Sequence, residues 1–547
     1  MTANSIPPIS DHLAISLRAF AETTIKKQLK KTNRKRLPFA SEWTLVFDTE
    51  TTIDAGQSLR IGTYQVRKGG ELFGAGVFFD PEGVTDAELL TLKSYTDANG
   101  LSLLTRDEFA DQIFYGIGYQ LRATIIGFNL PFDISRIAIR HGSARSNKYQ
   151  DMRGGFTFRI SNQKIYPNCQ VKHLSRNCSF IRFASPMGQR DARSERGRGH
   201  YNRPRRGHFV DVKTLANALF ARGFSLSDLS KFLQVKNPKL DFDDFAGPIS
   251  DTMIEYAVRD VQTTWECYLE LTERLAALGL PKFLPEKAYS EASIGKAYLK
   301  EMGIIPWQQC QPEFQRQFLA NIMSTYFGGR SEVRIRRKLR QVMMCDFLSM
   351  YPTVCTLMEL WRFVIADGMT TQDATSEAKA ILANTDLDWL QKRQSWRHLT
   401  MLVRVKVQGD IFPVRAAYSE GEQSTIGLNY LTSGDTPLWF TFADCIASKL
   451  LTGKSPEILE AVTFKPGNTQ TELQPINISG NSDYHIDPAK DDLFKRLIEL
   501  RHSVKIRMDS PSGDERVRLD TEQNALKILA NATSYGIYVE VNVARRA

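Results

Sequence analysis

Trp43-Thr44-Leu45-Val46-Phe47-Asp48-Thr49-Glu50-Thr51 is a strand-forming run that ends on two acids. From Trp43 to Phe47 it reads as a buried strand. Alternate strand residues share a face, so Asp48 and Glu50 project together from its end. Buried like charges repel unless a cation separates them, which makes this pair a candidate metal site. Working outward, Ile125–Gly127 reads as a second buried strand. Asn129-Leu130-Pro131-Phe132-Asp133 follows it directly. Residues 107–122 carry Phe109, Ile113, Ile117 and Leu121 at helical spacing. Residues 251–278 read as a long amphipathic helix with Tyr256 and Asp260 one turn apart on one face. A phenol beside a carboxylate can orient a water.

Asp48, Glu50, Asp133 and Asp260 are four acids, enough for two divalent cations about 3.5–4 Å apart that clamp the attacking and leaving oxygens of a phosphodiester. Hard oxygen ligands select Mg2+ or Mn2+ over zinc.

Composition narrows the class. The 547 residues suggest three to five domains, and 42% apolar with 24% charged residues is ordinary globular usage. No apolar run reaches the roughly 18 residues of a membrane span. Asp11 and the lack of a compact apolar stretch near the start argue against secretion. The seven cysteines (169, 178, 267, 310, 345, 355 and 445) form no CxxC pair and read as reduced thiols. A cytoplasmic protein without a membrane partner is expected.

Lys and Arg number 71 against 61 Asp and Glu, a net charge of +10. The excess is local: residues 140–210 hold 16 basic and three acidic residues, a net of +13, so the rest of the chain sums to −3. Seven arginines lie in the exposed loop expected between Gly188 and Gly207. Further basic clusters occupy Lys26–Arg36 and Arg330–Arg340. Three such clusters favour a nucleic-acid partner.

The second half carries Tyr326-Phe327-Gly328-Gly329-Arg330, in which paired glycines permit close backbone approach and Arg330 can meet phosphate. A strand at Val342–Cys345 is expected to run into Asp346-Phe347-Leu348-Ser349-Met350-Tyr351-Pro352 and a helix. Strands near 400–407 and a helix near 440–452 follow. Two helices close the chain, about 490–508 and 520–535, lining up Arg501 with Lys505, and Lys527 with Asn531 and Tyr535.

The order D-x-E, N-x-x-F-D, Y-x-x-x-D resembles the three exonuclease motifs of the 3′–5′ proofreading superfamily with a ribonuclease-H-like fold. D-F-L-S-M-Y-P, Y-F-G-G-R and K-I-L-A-N-A-T-S-Y-G are similar to motif A, the linker motif and motif B of family B DNA polymerases, in their organellar, viral and plasmid branch. The resemblance implies an α/β chain: a basic lead-in (1–40), an exonuclease domain (41–280), a linker with the first half of a palm (281–365), a palm insertion (366–489) and helical fingers (490–547). It implies template-directed DNA synthesis with proofreading, two Mg2+ or Mn2+ per active site, and primer-template DNA, single-stranded 3′ ends and deoxynucleoside triphosphates as partners. Asp346 would hold the first polymerase metal, and Tyr351 would refuse a 2′-hydroxyl. Arg501 and Lys527 would grip the triphosphate, with Lys505, Asn531 and Tyr535 lining the pocket. Asn129 and Phe132, with Tyr326, Gly328, Gly329 and Arg330, would touch DNA.

Two departures qualify it. Tyr535 stands eight residues after Lys527 where the family has seven, a rotation of about 100° that a π-bulge would correct. No Asp-Thr-Asp motif follows motif B, and Thr385-Asp386-Leu387-Asp388 precedes it and reads as a helix start. A polymerase that is truncated or split is therefore expected, with a terminal protein or a second chain as further partners. The alternatives are a stand-alone 3′–5′ exonuclease and a non-catalytic DNA-binding relic.

Overall fold

A computed structural model describes residues 15, 40–144, 154–184, 207–327, 335, 337–345, 347, 349–416, 425–508 and 513–534. Its first half is built on strand β1 (Trp43–Thr51). Leu45, Val46 and Phe47 are all fully buried because β1 is covered on both faces, Val46 packing into one core and Leu45 and Phe47 into another. The strand runs past Phe47 to Thr51 because its backbone pairs antiparallel with β2 (Leu59–Lys68), with a bulge between Glu50 and Thr51. With β3 (Glu71–Phe79), β4 (Ser102–Thr105), β5 (Thr124–Gly127) and β10 (His208–Asp211) they form a six-stranded sheet, order β10-β5-β1-β2-β3-β4. The three long strands are antiparallel, whereas β4, β5 and β10 run parallel to their neighbours.

Helices cover both faces. α1 (Asp86–Asn99) starts with a Thr85/Glu88 capping box. α2 (Arg106–Glu108) continues as a π-helix over Phe109–Gln120. That wider winding sets Phe109 and Phe114, five residues apart, against the same Phe47 ring at 5.6 and 6.0 Å. After β5 come α3 (Leu130–Arg136) and a four-stranded antiparallel meander of β6 (Arg140–Ser143), β7 (Phe156–Arg159), β8 (Cys169–Ser175) and β9 (Cys178–Phe183). α4 (Val212–Phe220), α5 (Leu226–Leu233) and the long α6 (Asp251–Ala276) close the far face.

Beyond α7 (Glu291–Glu301) lies a second sheet, in which Met369–Asp373, Glu457–Pro466, Leu402–Lys406 and Leu438–Thr441 are adjacent in that order. Asp386 caps the helix Leu387–Gln391, accepting from the Trp389 N–H at 2.8 Å, so it and Asp388 lie at a helix start. The helices Leu493–Arg507 and Asp514–Ser534 share one apolar core with α4, α6 and α7. At Gly295 the close approach of α7 to the last helix leaves no room, since a Cβ would sit 2.7 Å from that of Ala532.

Val342–Cys345 departs from expectation. Among the described residues no strand pairs with it, and Val342, Met343 and Met344 are 81%, 89% and 92% exposed. An apolar run becomes a strand only where a neighbour takes up its backbone hydrogen bonds. The Arg/Gly loop before Gly207 and the Lys26–Arg36 cluster lie outside the described residues. Among the described residues no helix is long and apolar enough to cross a membrane.

Candidate metal centre

The end of β1 meets the middle of α6. Thr63 on β2, opposite Asp48, donates its hydroxyl to the carbonyl of Ala257 at 2.8 Å and so pins the helix to the sheet. One carboxylate oxygen from each of Asp48, Glu50 and Asp260 falls within 4.8 Å of the others. Glu50 and Asp260 are 9% and 2% exposed.

Asp133 stands beside this group, in the first turn of α3 and 2% exposed. Asn129 enters α3 in the left-handed region at φ 66°, which Asn tolerates better than most residues, and Pro131 fits the first turn. Thr49, turned away from the two acids by strand alternation, donates to Asp133 Oδ1 at 2.7 Å. Asp133 Oδ2 and Asp260 Oδ1 are buried with no hydrogen-bond partner among the described residues. An orphaned buried carboxylate oxygen is costly unless a cation or water meets it, so the donor set fits a hard divalent ion.

The electrostatics agree. Burial, then the charge of Asp260, pushes Asp48 up to about 7 against the pull of Lys239. Burial, then Asp48 and Asp260, pushes Glu50 up to about 9. Burial and Asp48 hold Asp133 well above the usual carboxylate range. Asp260 is also raised by burial, although Lys239 opposes it.

Lys239 was not legible in the sequence. Its Nζ bonds Asp260 Oδ2 and lies 4.4 Å from the centre of the Tyr256 ring. It comes from a loop between α5 and α6 with no periodic pattern to flag it. Tyr256 stays protonated, its hydroxyl raised by burial and by Asp260. Asp211, the N-cap of α4, was missed as well. It takes the Thr214 N–H at 3.2 Å, and it also accepts the Leu130 N–H at 3.1 Å, holding the start of α3. The loop after β1 is held by Arg136, which donates to the carbonyls of Gly56 and Gln57 and covers the Phe132 ring at 4.7 Å.

The second-half residues are less gathered. Tyr351 begins the helix Met350–Leu357, which packs on both closing helices. Arg501 Nη1 donates to Ser349 Oγ at 3.0 Å, next to that start. Lys505 and Lys527 are exposed, and Asn531 is half-buried. Burial raises the Glu291 carboxyl on α7, and the nearby charge of Lys527 offsets only part of that rise. Tyr326 is 37% exposed. Gly328, Gly329, Arg330, Asp346 and Tyr535 lie outside the described residues.

Fold and site define a mixed α/β protein with a buried carboxylate cluster at a strand end. No family model and no curated protein matches the chain. Among solved structures it is similar to Phi29 DNA polymerase complexed with single-stranded DNA, at 12% identity and a TM-score of 0.42, over 90% of this chain and 66% of that one. The chain thus spans just under two thirds of the length of that polymerase chain.

Proposed function

We propose that the chain is a metal-dependent 3′–5′ exonuclease joined to part of a family B DNA polymerase. One observation carries the reading: Asp48 and Glu50 on one strand and the sequence-distant Asp260, ordered as in the proofreading motifs, bring their oxygens within 4.8 Å. With Asp133 they would hold Mg2+ or Mn2+, which when bound supplies Lewis acidity and lowers the pKa of water.

The side chains do the rest. The substrate is a single-stranded 3′ end, and water oxygen replaces the 3′-oxygen at phosphorus, releasing a nucleoside monophosphate. Tyr256, protonated across the working range, orients the attacking water through its hydroxyl. Lys239 offsets part of the charge of Asp260. Phe132, stiffened by Arg136, offers a ring to the terminal base, and Asn129 offers hydrogen bonds. In the polymerase half, Arg501, Lys505 and Lys527 would meet triphosphate oxygens through charge-assisted bonds. Asp346, Tyr351, Asn531 and Tyr535 keep the roles the motifs imply.

Asp48→Ala with Glu50→Ala should abolish digestion of single-stranded 3′ ends and leave DNA binding within a few-fold of the parent. Undiminished digestion by this variant overturns the reading.

A further inference from the structure

The four-stranded meander has a face that the carboxylate site does not use. Its inner face belongs to the core through Phe158, Cys169, Val171, Ile181 and Phe183. Residues directly opposite in an antiparallel ladder share a face, so the register fixes what the other side carries. Arg140 stands opposite Arg159, Thr157 opposite Gln170, Gln170 opposite Arg182, and Lys172 opposite Phe180.

We infer that this outer face is a platform for the sugar-phosphate backbone of a single DNA strand, adjoining the carboxylate centre; the inference rests on the exonuclease reading. Charge complementarity is the first argument. The described residues 140–144 and 154–184 contain Arg140, Arg159, Lys164, Lys172, Arg176 and Arg182 and not one Asp or Glu. Like charges directly opposite in a ladder are destabilising, and a phosphate between Arg140 and Arg159 would turn that repulsion into attraction. The second argument is preorganisation. Arg182 Nε donates to Gln170 Oε1 at 3.1 Å and Gln170 Nε2 donates to Thr157 Oγ1 at 3.4 Å. Arg182 and Gln170 are themselves buried, so this polar ladder stiffens three strands while Arg140, Arg159 and Lys172 supply the contacts. Arg159 is braced by the carbonyls of Ser161 and Asn162 at 3.1 and 2.9 Å. The third is aromatic: Phe180 meets Tyr289 edge-on with centroids 5.4 Å apart, and aromatic rings among cations are what sequence-tolerant strand binding requires. Location agrees, since β6 follows α3, the helix of Asp133, directly in the chain.

The test uses the full chain and two probes. One is a long thymidine homopolymer, followed by binding at several salt concentrations. The other is p-nitrophenyl thymidine 5′-phosphate, small enough to reach only the carboxylates. Arg140→Ala with Arg159→Ala and Lys172→Ala should weaken homopolymer binding about tenfold and reduce the salt slope by roughly two, with hydrolysis of the small ester unchanged. Arg140→Lys with Arg159→Lys and Lys172→Arg keeps the charge and should bind like the parent, which separates charge from folding. Unchanged affinity and slope in the alanine variant overturn the platform. If the parent cleaves no ester while the alanine variant still loses the strand, the exonuclease reading fails and the platform stands.

Discussion

Asp48 and Glu50 bind protons more tightly in the folded protein than in an unfolded chain. Their folded values, about 7 and about 9, lie above the ordinary 3.8 and 4.5. Between those limits the folded state binds more protons than the unfolded state, so stability falls as pH rises from about 4 towards 9. Divalent cations bind the deprotonated acids and should reverse that fall. Thermal melts across this range should show a declining midpoint in chelator and a flatter one in Mn2+. Titration calorimetry in two buffers of different ionisation enthalpy should show protons released on Mn2+ binding at pH 7. A midpoint indifferent to Mn2+ at pH 8 counts against the centre. Lys239 works in the opposite sense, lowering the values of both acids. Lys239→Met should move the acidic limb of the pH–activity profile upward by about one unit.

Arg60 and Glu88 act between elements. The guanidinium of Arg60 on β2 meets Glu88 on α1 at 2.7 Å and donates to the carbonyls of Phe245 and Gly247. Glu88 also accepts the Ile249 N–H, so the pair fixes the approach to α6 and hence the place of Tyr256 and Asp260. Burial alone would raise Glu88, but bonds from Thr85, Ile249 and Arg60 outweigh it and hold it at about 2. Its contribution is therefore present above about 4.5 and lost as pH falls towards 2. Glu88→Gln should cost about 3 kcal/mol at neutral pH, as breaking one side of a buried pair does, and much less near pH 2. Urea unfolding at the two pH values measures this.

At this same scale the legibility of the sequence has a physical pattern. β1 could be read from its unbroken apolar run and α6 from its helical periodicity, because both report burial directly. The carboxylates could be read because strand alternation and a helical turn fix their faces without knowledge of the partner. Lys239 and Asp211 could not, since they reach the site only through tertiary packing of a loop and a crossover strand. Val342–Cys345 was misread for the same reason, because apolar composition does not reveal whether a neighbouring strand is there to pair with it.

Across the whole molecule, one core joins Val46 and Ile126 beneath the carboxylates to Leu526 and Leu529 of the last helix. Along it, α7 and the helix Asp514–Ser534 approach closely at Gly295 and Ala532. Gly295→Leu should destabilise the protein by about 2 kcal/mol, in the range of overpacked cores, and lower the melting point of the entire fold. Two separate transitions, with the first half unmoved, would refute a shared core.

That core also bears on synthesis. The last helix packs against α4 and α7, surfaces laid down long before it emerges from the ribosome. A nascent chain must carry those apolar patches uncovered until Asp514–Ser534 is free to dock. Chaperone capture during translation should therefore persist until this helix leaves the exit tunnel, and ribosome profiling of chaperone-bound chains would date its release.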